Sequence, residues 1–319
     1  MVHRVLPSRV VLFSLLTAGT LCVLSGPSPQ TRGAQAPCWA QLPDYAGVRT
    51  VIDWSPDELR HHVPELKGIE SAASAEEGAE RLSPILTKVG ENVRAFFQNF
   101  PDTTSVERIH TDFVYGDGRP RRDFSQEYNY LMLAAPEKGR ATLEEFRTEP
   151  GSNASKRVRP GGVFTTEGFA SGSIHFHPTY QSDSVFRYLG RQRVGGQETE
   201  VVAFAQRPAI ARNMGELSVG SNSVQILVQG VAWIDSTSYQ IKRLRTDMLT
   251  PRPELGVERE TTIIQYGAVY FKGMTQVHWL PKEVEVIVNW KNSTLHNDHT
   301  YSHFRLFSVE SEHKENPPK

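Results

Sequence analysis

Cysteine is almost missing from this chain: Cys22 and Cys38 are the only two among 319 residues. Cys22 lies in an apolar stretch near the start. Without that stretch one thiol remains, which cannot close an internal disulfide, so the folded part has to be held by its core. Charge of one sign is lacking too. Lys plus Arg number 35 against 36 Asp plus Glu, a formal net charge of -1 with no long like-charge run. That removes the electrostatic footprint of a nucleic-acid binder. No apolar run reaches the roughly 20 residues that a membrane helix needs. Catalytic signatures are absent as well: there is no HExxH, no GxSxG, no Walker-type loop, and no dinucleotide fingerprint after a strand. Serines are plentiful, yet none sits in a nucleophile elbow. Acid pairs at 144–145 and 258–260 lie in strand-like segments, and the separation that glycoside hydrolysis requires is a tertiary quantity. With no site chemistry to warrant an enzyme, the expectation is a non-catalytic protein without cofactor.

What is present starts with an export signal. His3, Arg4 and Arg9 give a basic start, and Val10 to Leu24 an apolar stretch of about 15 residues, over the first 26 residues. Ala34-Gln35-Ala36 has the small-x-small form of a cleavage site, although Pro37 follows it directly. A bacterial lipobox ending at Cys22 would want a small residue where Leu21 stands and Leu where Gly19 stands. The expected organisation is signal peptide and tether over 1–36, a linker with a short helix over 37–70, and a single domain over 71–319. Sequons at Asn153 and Asn292 are read as chance matches. The 38% hydrophobic content supports a packed core.

Ser55-Pro56-Asp57-Glu58 is a helix start, with a cap, a proline at the first position and early acids. A longer helix is expected from about Ala72 to Asn99, with Leu82, Ile85, Leu86, Val89, Val93, Phe96 and Phe97 on one stripe and Pro84 starting a new helix or kinking this one. From residue 106 the period becomes two. Strands are expected at 106–115, 125–135, 141–149, 173–177, 184–193, 199–206, 224–234, 239–249, 259–271, 282–290 and 299–310. Gly195-Gly196 is a two-residue hairpin turn between two of them. One long helix followed by successive strands predicts a mainly β, α+β fold: a large curved antiparallel sheet, a half-barrel, covered by an N-terminal amphipathic helix.

The segment 224–249 organises this sheet. Val224, Ile226, Val228, Ala232 and Ile234 share one face, and Gln225, Leu227, Gln229, Val231 and Trp233 the other. After the turn Asp235-Ser236-Thr237-Ser238, Tyr239, Ile241, Arg243 and Arg245 are expected on a single face. A sheet apolar on both sides is covered on both sides or encloses something apolar. Phe96, Phe97, Trp233, Tyr239, Ile241, Arg243 and Arg245 are therefore the candidate ligand-binding residues. The two arginines suit a cavity mouth; the alternative is a solvated face with Asp247 as partner. Aromatics Tyr266, Tyr270, Phe271, Trp279 and Trp290 are core or cavity lining. His175 and His177, two apart on an expected strand, would share a face as metal ligands do, but a third ligand is needed. His299 and His303, four apart on a strand, stand about 13 Å apart, too far for one ion. No metal site is expected.

The run QGVAWIDSTSYQIKRLR, with Gly230, Trp233, Ile234, Asp235, Tyr239, Ile241 and Arg243, resembles bacterial lipoprotein-carrier and outer-membrane lipoprotein-sorting proteins, as does the later WLPKEV stretch. The resemblance covers roughly 125–310. It implies a half-barrel closed by helices, with an apolar cavity for acyl chains. The segments 150–183 and 208–222 look like insertions, and Lys156 to Gly162 form a basic loop without an assignment. GFASGSIHFHP is more similar to uncharacterised secreted bacterial proteins. The expectation is an exported, monomeric protein of a Gram-negative periplasm that holds a hydrophobic ligand, a lipid or acyl chain, or a lipoprotein, with no nucleic-acid partner. Alternatives are a cell-envelope module gripping a protein partner and a metal-dependent hydrolase.

Overall fold

The computed structural model describes residues 10–13, 45–117, 119, 121–134, 143–150, 166, 168–212, 214–219 and 222–307. Apart from 10–13, the expected export signal lies outside the described residues, as do Cys22, Cys38, Asn153 and the basic loop at 156–162.

Helix α1 spans Pro56–His62 and opens as its sequence predicts. The Ser55 hydroxyl accepts from the Glu58 N–H at 3.3 Å, and the Glu58 carboxylate accepts from the Ser55 N–H at 2.7 Å. Helix α2 spans Ala75–Gln98, capped by Ser74. Pro84 lies inside it, and the helix runs through, losing one backbone hydrogen bond there.

The strands are β1 (Val10–Phe13), β2 (Glu70–Ser71), β3 (Thr103–Val114), β4 (Arg122–Ala134), β5 (Leu143–Thr148), β6 (Ser184–Val194), β7 (Gln197–Gln206), β8 (Gly215–Val219), β9 (Asn222–Ile226), β10 (Val228–Asp235), β11 (Ile241–Met248), β12 (Val257–Tyr270), β13 (Val277–Trp290) and β14 (Ser293–Leu306). Eleven form one antiparallel sheet in the order β2-β6-β7-β10-β11-β12-β13-β14-β3-β4-β5, open at both ends. β1, β8 and β9 form a separate three-stranded sheet. The expected half-barrel with a covering helix is the observed architecture. Most neighbours in the large sheet are sequential; the non-sequential joints are β2 against β6, β7 against β10, and β14 against β3, the last in register from Thr294 opposite Val114 to Ser302 opposite Val106. Two expectations are corrected. Residues 173–177 are not a strand, since Ser171–Phe176 coil into a 3-10 helix. The arm 224–234 breaks at Leu227, and its first part pairs with β8 instead of joining the large sheet.

Both faces of the sheet are covered. On the outer face Val51, Leu59, Val63 and Leu66 pack on Leu189, Val201, Ala203, Val231 and Trp233. The stretch expected as a linker is thus a cover with its own buried cluster. On the inner face α2 presents Ile85, Val89, Val93 and Phe97, and beside it the chain's own segment 169–180 fills the hollow with Phe169, Ala170, Ile174, Phe176 and Tyr180.

Sheet polar groups hold this insert. Tyr266 Oη donates to the Phe169 carbonyl at 2.9 Å, and the Glu145 carboxylate accepts from the Ala170 and Ser171 N–H groups at 3.0 and 2.9 Å. Arg147 Nη2 donates to the Thr166 carbonyl at 3.0 Å and to Glu107 Oε1 at 2.7 Å. Glu107 also accepts from Tyr301 Oη at 2.6 Å and lies 2.9 Å from His299 Nδ1. Burial pushes the Glu107 carboxyl up, but Arg147 and His299 outweigh it and hold it at about 2, so the pair stays charged. Gln181 Nε2 ties the insert to α2, donating to the carbonyls of Phe176 and Leu86 at 2.9 and 2.8 Å.

A second buried carboxyl has fewer partners. Glu260 on β12 accepts from Thr262 Oγ1 at 2.8 Å. Burial, with the charge of Asp247 adding to it, raises its pKa to about 7 despite that hydrogen bond.

Three outcomes test this description. Arg147→Met leaves Glu107 charged and buried, and should lower unfolding stability by about 3–5 kcal/mol in urea titrations; a loss below about 1 kcal/mol would remove the pair as the insert's anchor. The two buried glycines of α2 should respond in opposite directions. A Cβ at Gly78 meets nothing closer than 3.7 Å, so Gly78→Ala should stabilise by roughly 0.5–1 kcal/mol through helix propensity. At Gly90 a Cβ would come within 2.7 Å of Gln181 Nε2 and 3.3 Å of the Phe176 carbonyl, so Gly90→Ala should destabilise. Finally, Glu260 is an acid whose folded pKa lies above its unfolded value, so the folded state holds an extra proton between about pH 4.5 and 7, and stability falls as pH rises through that window. Glu260→Gln should flatten that fall and exceed the parent at higher pH by about 3 kcal/mol, measured as unfolding midpoints across pH; parallel pH profiles for the two proteins would contradict it.

Candidate functional site

The hairpin β10–β11 decides which candidate residues meet. Its turn is built as the short side chains predict: Asp235 Oδ1 accepts from the N–H groups of Thr237 and Ser238 at 3.1 and 2.7 Å. Past the turn, pairing steps from Ile234 opposite Ile241 to Trp233 opposite Arg243, which leaves Lys242 as an extra residue in a bulge. The bulge inverts the alternation. Ile241 joins the inner core, whereas Arg243 and Arg245 fall on the outer face with Trp233. The expectation that Tyr239, Ile241, Arg243 and Arg245 share one face is corrected on this ground.

Trp233 is fully buried under the outer cover, and its Nε1 donates to Gln192 Oε1 at 2.8 Å. Arg243 lies 5.4 Å over the Trp233 ring, and burial lowers its pKa. Arg245 is buried and ion-paired to Glu65 at 2.8 Å and Asp247 at 2.7 Å. Asp247 is the partner named in the alternative reading, but the site is shielded rather than solvated. Neither arginine lines any of the three hollows described below. Phe97 is core, edge-on to Phe96 at 5.3 Å. Phe96, Tyr239 and Ile241 do come together, in the wall of one cavity.

That cavity, about 240 Å³, lies between the C-terminal half of α2 and the β11–β13 rim. Val93, Phe96, Ile241, Val277 and Trp279 supply its apolar wall, and Ser173, Gln240, Gln276 and His278 its polar side. Asn92 Nδ2 donates to the Ser238 carbonyl at 2.8 Å, and Lys88 lies 4.4 Å over the Tyr239 ring, so the helix is clasped to the hairpin tip. Tyr239 sits in the left-handed region at φ 56°. His278 is 2% exposed, burial lowers its pKa, and its Nε2 has no hydrogen-bond partner among the described residues.

A larger hollow of about 460 Å³ lies in the seam between the outer cover and the first half of α2. Leu59, Leu66, Ile69, Leu82, Phe186 and Leu189 line it. Its two charged residues are engaged: Arg60 with Asp57 at 2.6 Å, and Arg187 with the Ile52 and Trp54 carbonyls at 3.0 and 2.7 Å. A third hollow, about 90 Å³, is bordered by Glu260, Glu216, Thr246 and His175.

The histidine pair does not converge. His175 stacks on Phe204 at 5.0 Å, with burial pulling its pKa down to about 4, while His177 faces Phe97 and Tyr180 at 6.1 and 5.9 Å. Among the described residues no three His, Cys, Asp or Glu side chains are grouped to hold a metal. His299 is buried against Glu107, and His303 is exposed at φ 54°. His278 escaped the sequence reading because a lone histidine in VHWL gives no spacing signal. The seam escaped it because its walls come from two elements read as linker and lid. No helix among the described residues is long and apolar enough to cross a membrane.

No protein-family model matches the sequence, and no curated protein matches it. Among solved structures the chain is similar to an outer membrane lipoprotein-sorting protein domain from Vibrio parahaemolyticus, at 10% identity over 75% of this chain and 96% of that one, with a TM-score of 0.33. It is also similar to a DUF1329 family protein from Desulfovibrio piger, at 11% identity over 73% and 97% of the two chains, with a TM-score of 0.35.

Proposed function

We propose that this chain is an exported binding protein that shelters an apolar ligand, a single acyl chain, in the seam between its outer cover and α2. One observation carries the reading: a hollow of about 460 Å³ whose charged wall residues are already paired, leaving an apolar lining. The volume falls within the roughly 300–1,000 Å³ usual for small-molecule sites. At roughly 30 Å³ per water-sized group it takes about 15 heavy atoms, the size of one fatty-acyl chain. Burying that many methylenes at about 0.8 kcal/mol each gives about 12 kcal/mol gross. Association and ordering costs bring the net to micromolar affinity or weaker.

The middle of the half-barrel is a poorer host, because Phe169, Ile174 and Phe176 fill it. The ligand therefore sits at the margin of the sheet, where Ala75 and Ala79 on α2 leave the seam open to solvent. Such a protein would carry or present a lipid in the periplasm, and a lipoprotein is a partner whose acyl chain would fit the same hollow.

Fluorescence titration of the full chain with parinaric acid tests this. Saturable binding with a micromolar dissociation constant is expected. Ala79→Trp, a change at an exposed helix position that fills the seam, should weaken it at least about tenfold with an unchanged thermal midpoint. Absence of saturable binding, or an Ala79→Trp protein that binds like the parent, would overturn the reading.

A further inference from the structure

On the strength of the seam being a lipid site, we infer that its guest is a free carboxylic acid of the fatty-acid class, with the carboxylate held by the open edge of Arg187.

Arg187 belongs to β6 and lines the seam, half-buried. Both of its hydrogen bonds come from one nitrogen: Nη1 donates to the Ile52 and Trp54 carbonyls at 3.0 and 2.7 Å. These acceptors are neutral dipoles of the outer cover. They orient the guanidinium but do not cancel its charge, and among the described residues Arg187 forms no ion pair. Its Nε and Nη2 make no hydrogen bond there either, and neither nitrogen is sealed off, so both can be reached from outside. The N–H groups of Nε and Nη2 form the side of a guanidinium that meets a carboxylate through two parallel hydrogen bonds. Arginine stays charged at any ordinary pH, and a half-buried charge without a counter-charge favours an anionic guest over a neutral one.

The walls agree with an acid. No Asp or Glu lines the seam, and its other cation, Arg60 on α1, stands out in solvent with Asp57 already on it at 2.6 Å. Leu82, Phe186 and Leu189 supply the apolar contact for the chain. Space for about 15 heavy atoms takes a chain and a carboxyl, with no room for a phosphodiester head group as well. An acyl chain in ester or amide linkage, as on a lipoprotein, brings no anion and leaves Arg187 unmet.

Fluorescence titration of the full chain with parinaric acid and with its methyl ester, at about pH 8 where a free carboxyl is ionised, separates the head group from the chain. The parent should bind the acid at least about tenfold more tightly than the ester. Arg187→Gln should abolish that preference by weakening the acid at least about tenfold, with the ester within about twofold of the parent, which also certifies the seam. Arg60→Gln should keep the preference. Acid and ester bound alike by the parent, a measurement that needs no variant, would overturn the inference and leave the acyl-chain reading standing. So would an Arg187→Gln protein that still prefers the acid, or one with the parent's thermal midpoint that loses both probes equally, since Arg187 would then only clamp the cover. Saturable binding of neither probe would overturn the acyl-chain reading and this inference with it.

Discussion

The buried pair of Glu107 and Arg147 constrains the rest of the molecule. Two charges at full burial, 2.7 Å apart, are tolerated only when their remaining hydrogen-bonding capacity is met. His299, Tyr301 and the Thr166 carbonyl meet it, and the last of these belongs to the inner insert. The sheet therefore cannot satisfy its own polar centre without the chain folding back into the concavity. A buried ion pair contributes little net stability, and its role here is one of position: it fixes where the insert enters the hollow, and Glu145 and Tyr266 then set the next few residues.

That arrangement resolves the choice posed by a sheet apolar on both faces, which either is covered or encloses a guest. At β7 and β10 it is covered twice, by residues 51–66 outside and by α2 with the insert inside. A half-barrel plan by itself thus says little about an empty interior. The space left over lies where the covers end, and its shape is set by side chains of helices and loops more than by the curvature of the strands.

Legibility followed the contrast between apolar and polar positions. Both helices and most strands were readable because their stripes and alternations are sharp; the reciprocal cap at Ser55 and Glu58 and the Asp235 turn formed as their residue types dictate. β3 gave no such contrast. Its buried side is Thr103, Ser105, Glu107, Ile109, Thr111 and Phe113, so the residues that anchor the insert look like solvent-facing ones. The histidine-containing segment 173–177 reads as a strand by alternation, yet residues 171–176 coil because the sheet already offers acceptors and donors to the backbone here. The bulge at Lys242 was invisible, because one extra residue leaves no mark on composition and reverses the face of every residue beyond it.

Helix α2 explains why the two hollows stay apart. Its polar ties are grouped in the middle: Arg81 to Glu200 at 3.2 Å, the Leu86 carbonyl to Gln181 at 2.8 Å, Lys88 to the Tyr239 ring, and Asn92 to Ser238. At the N-terminal end of these ties the helix faces the seam with Ala75, Ala79 and Leu82, and at their C-terminal end it borders the smaller cavity with Val93 and Phe96. A rod held at its centre transmits little displacement from one end to the other if the ties hold, so a guest at one end need not open or close the space at the other. The same ties keep Gly90 hard against Gln181, which is why the helix cannot slide to merge the two volumes. Among the described residues, these two hollows are thus separated by a clamped helix, and the middle of the sheet between them is taken up by the chain's own insert.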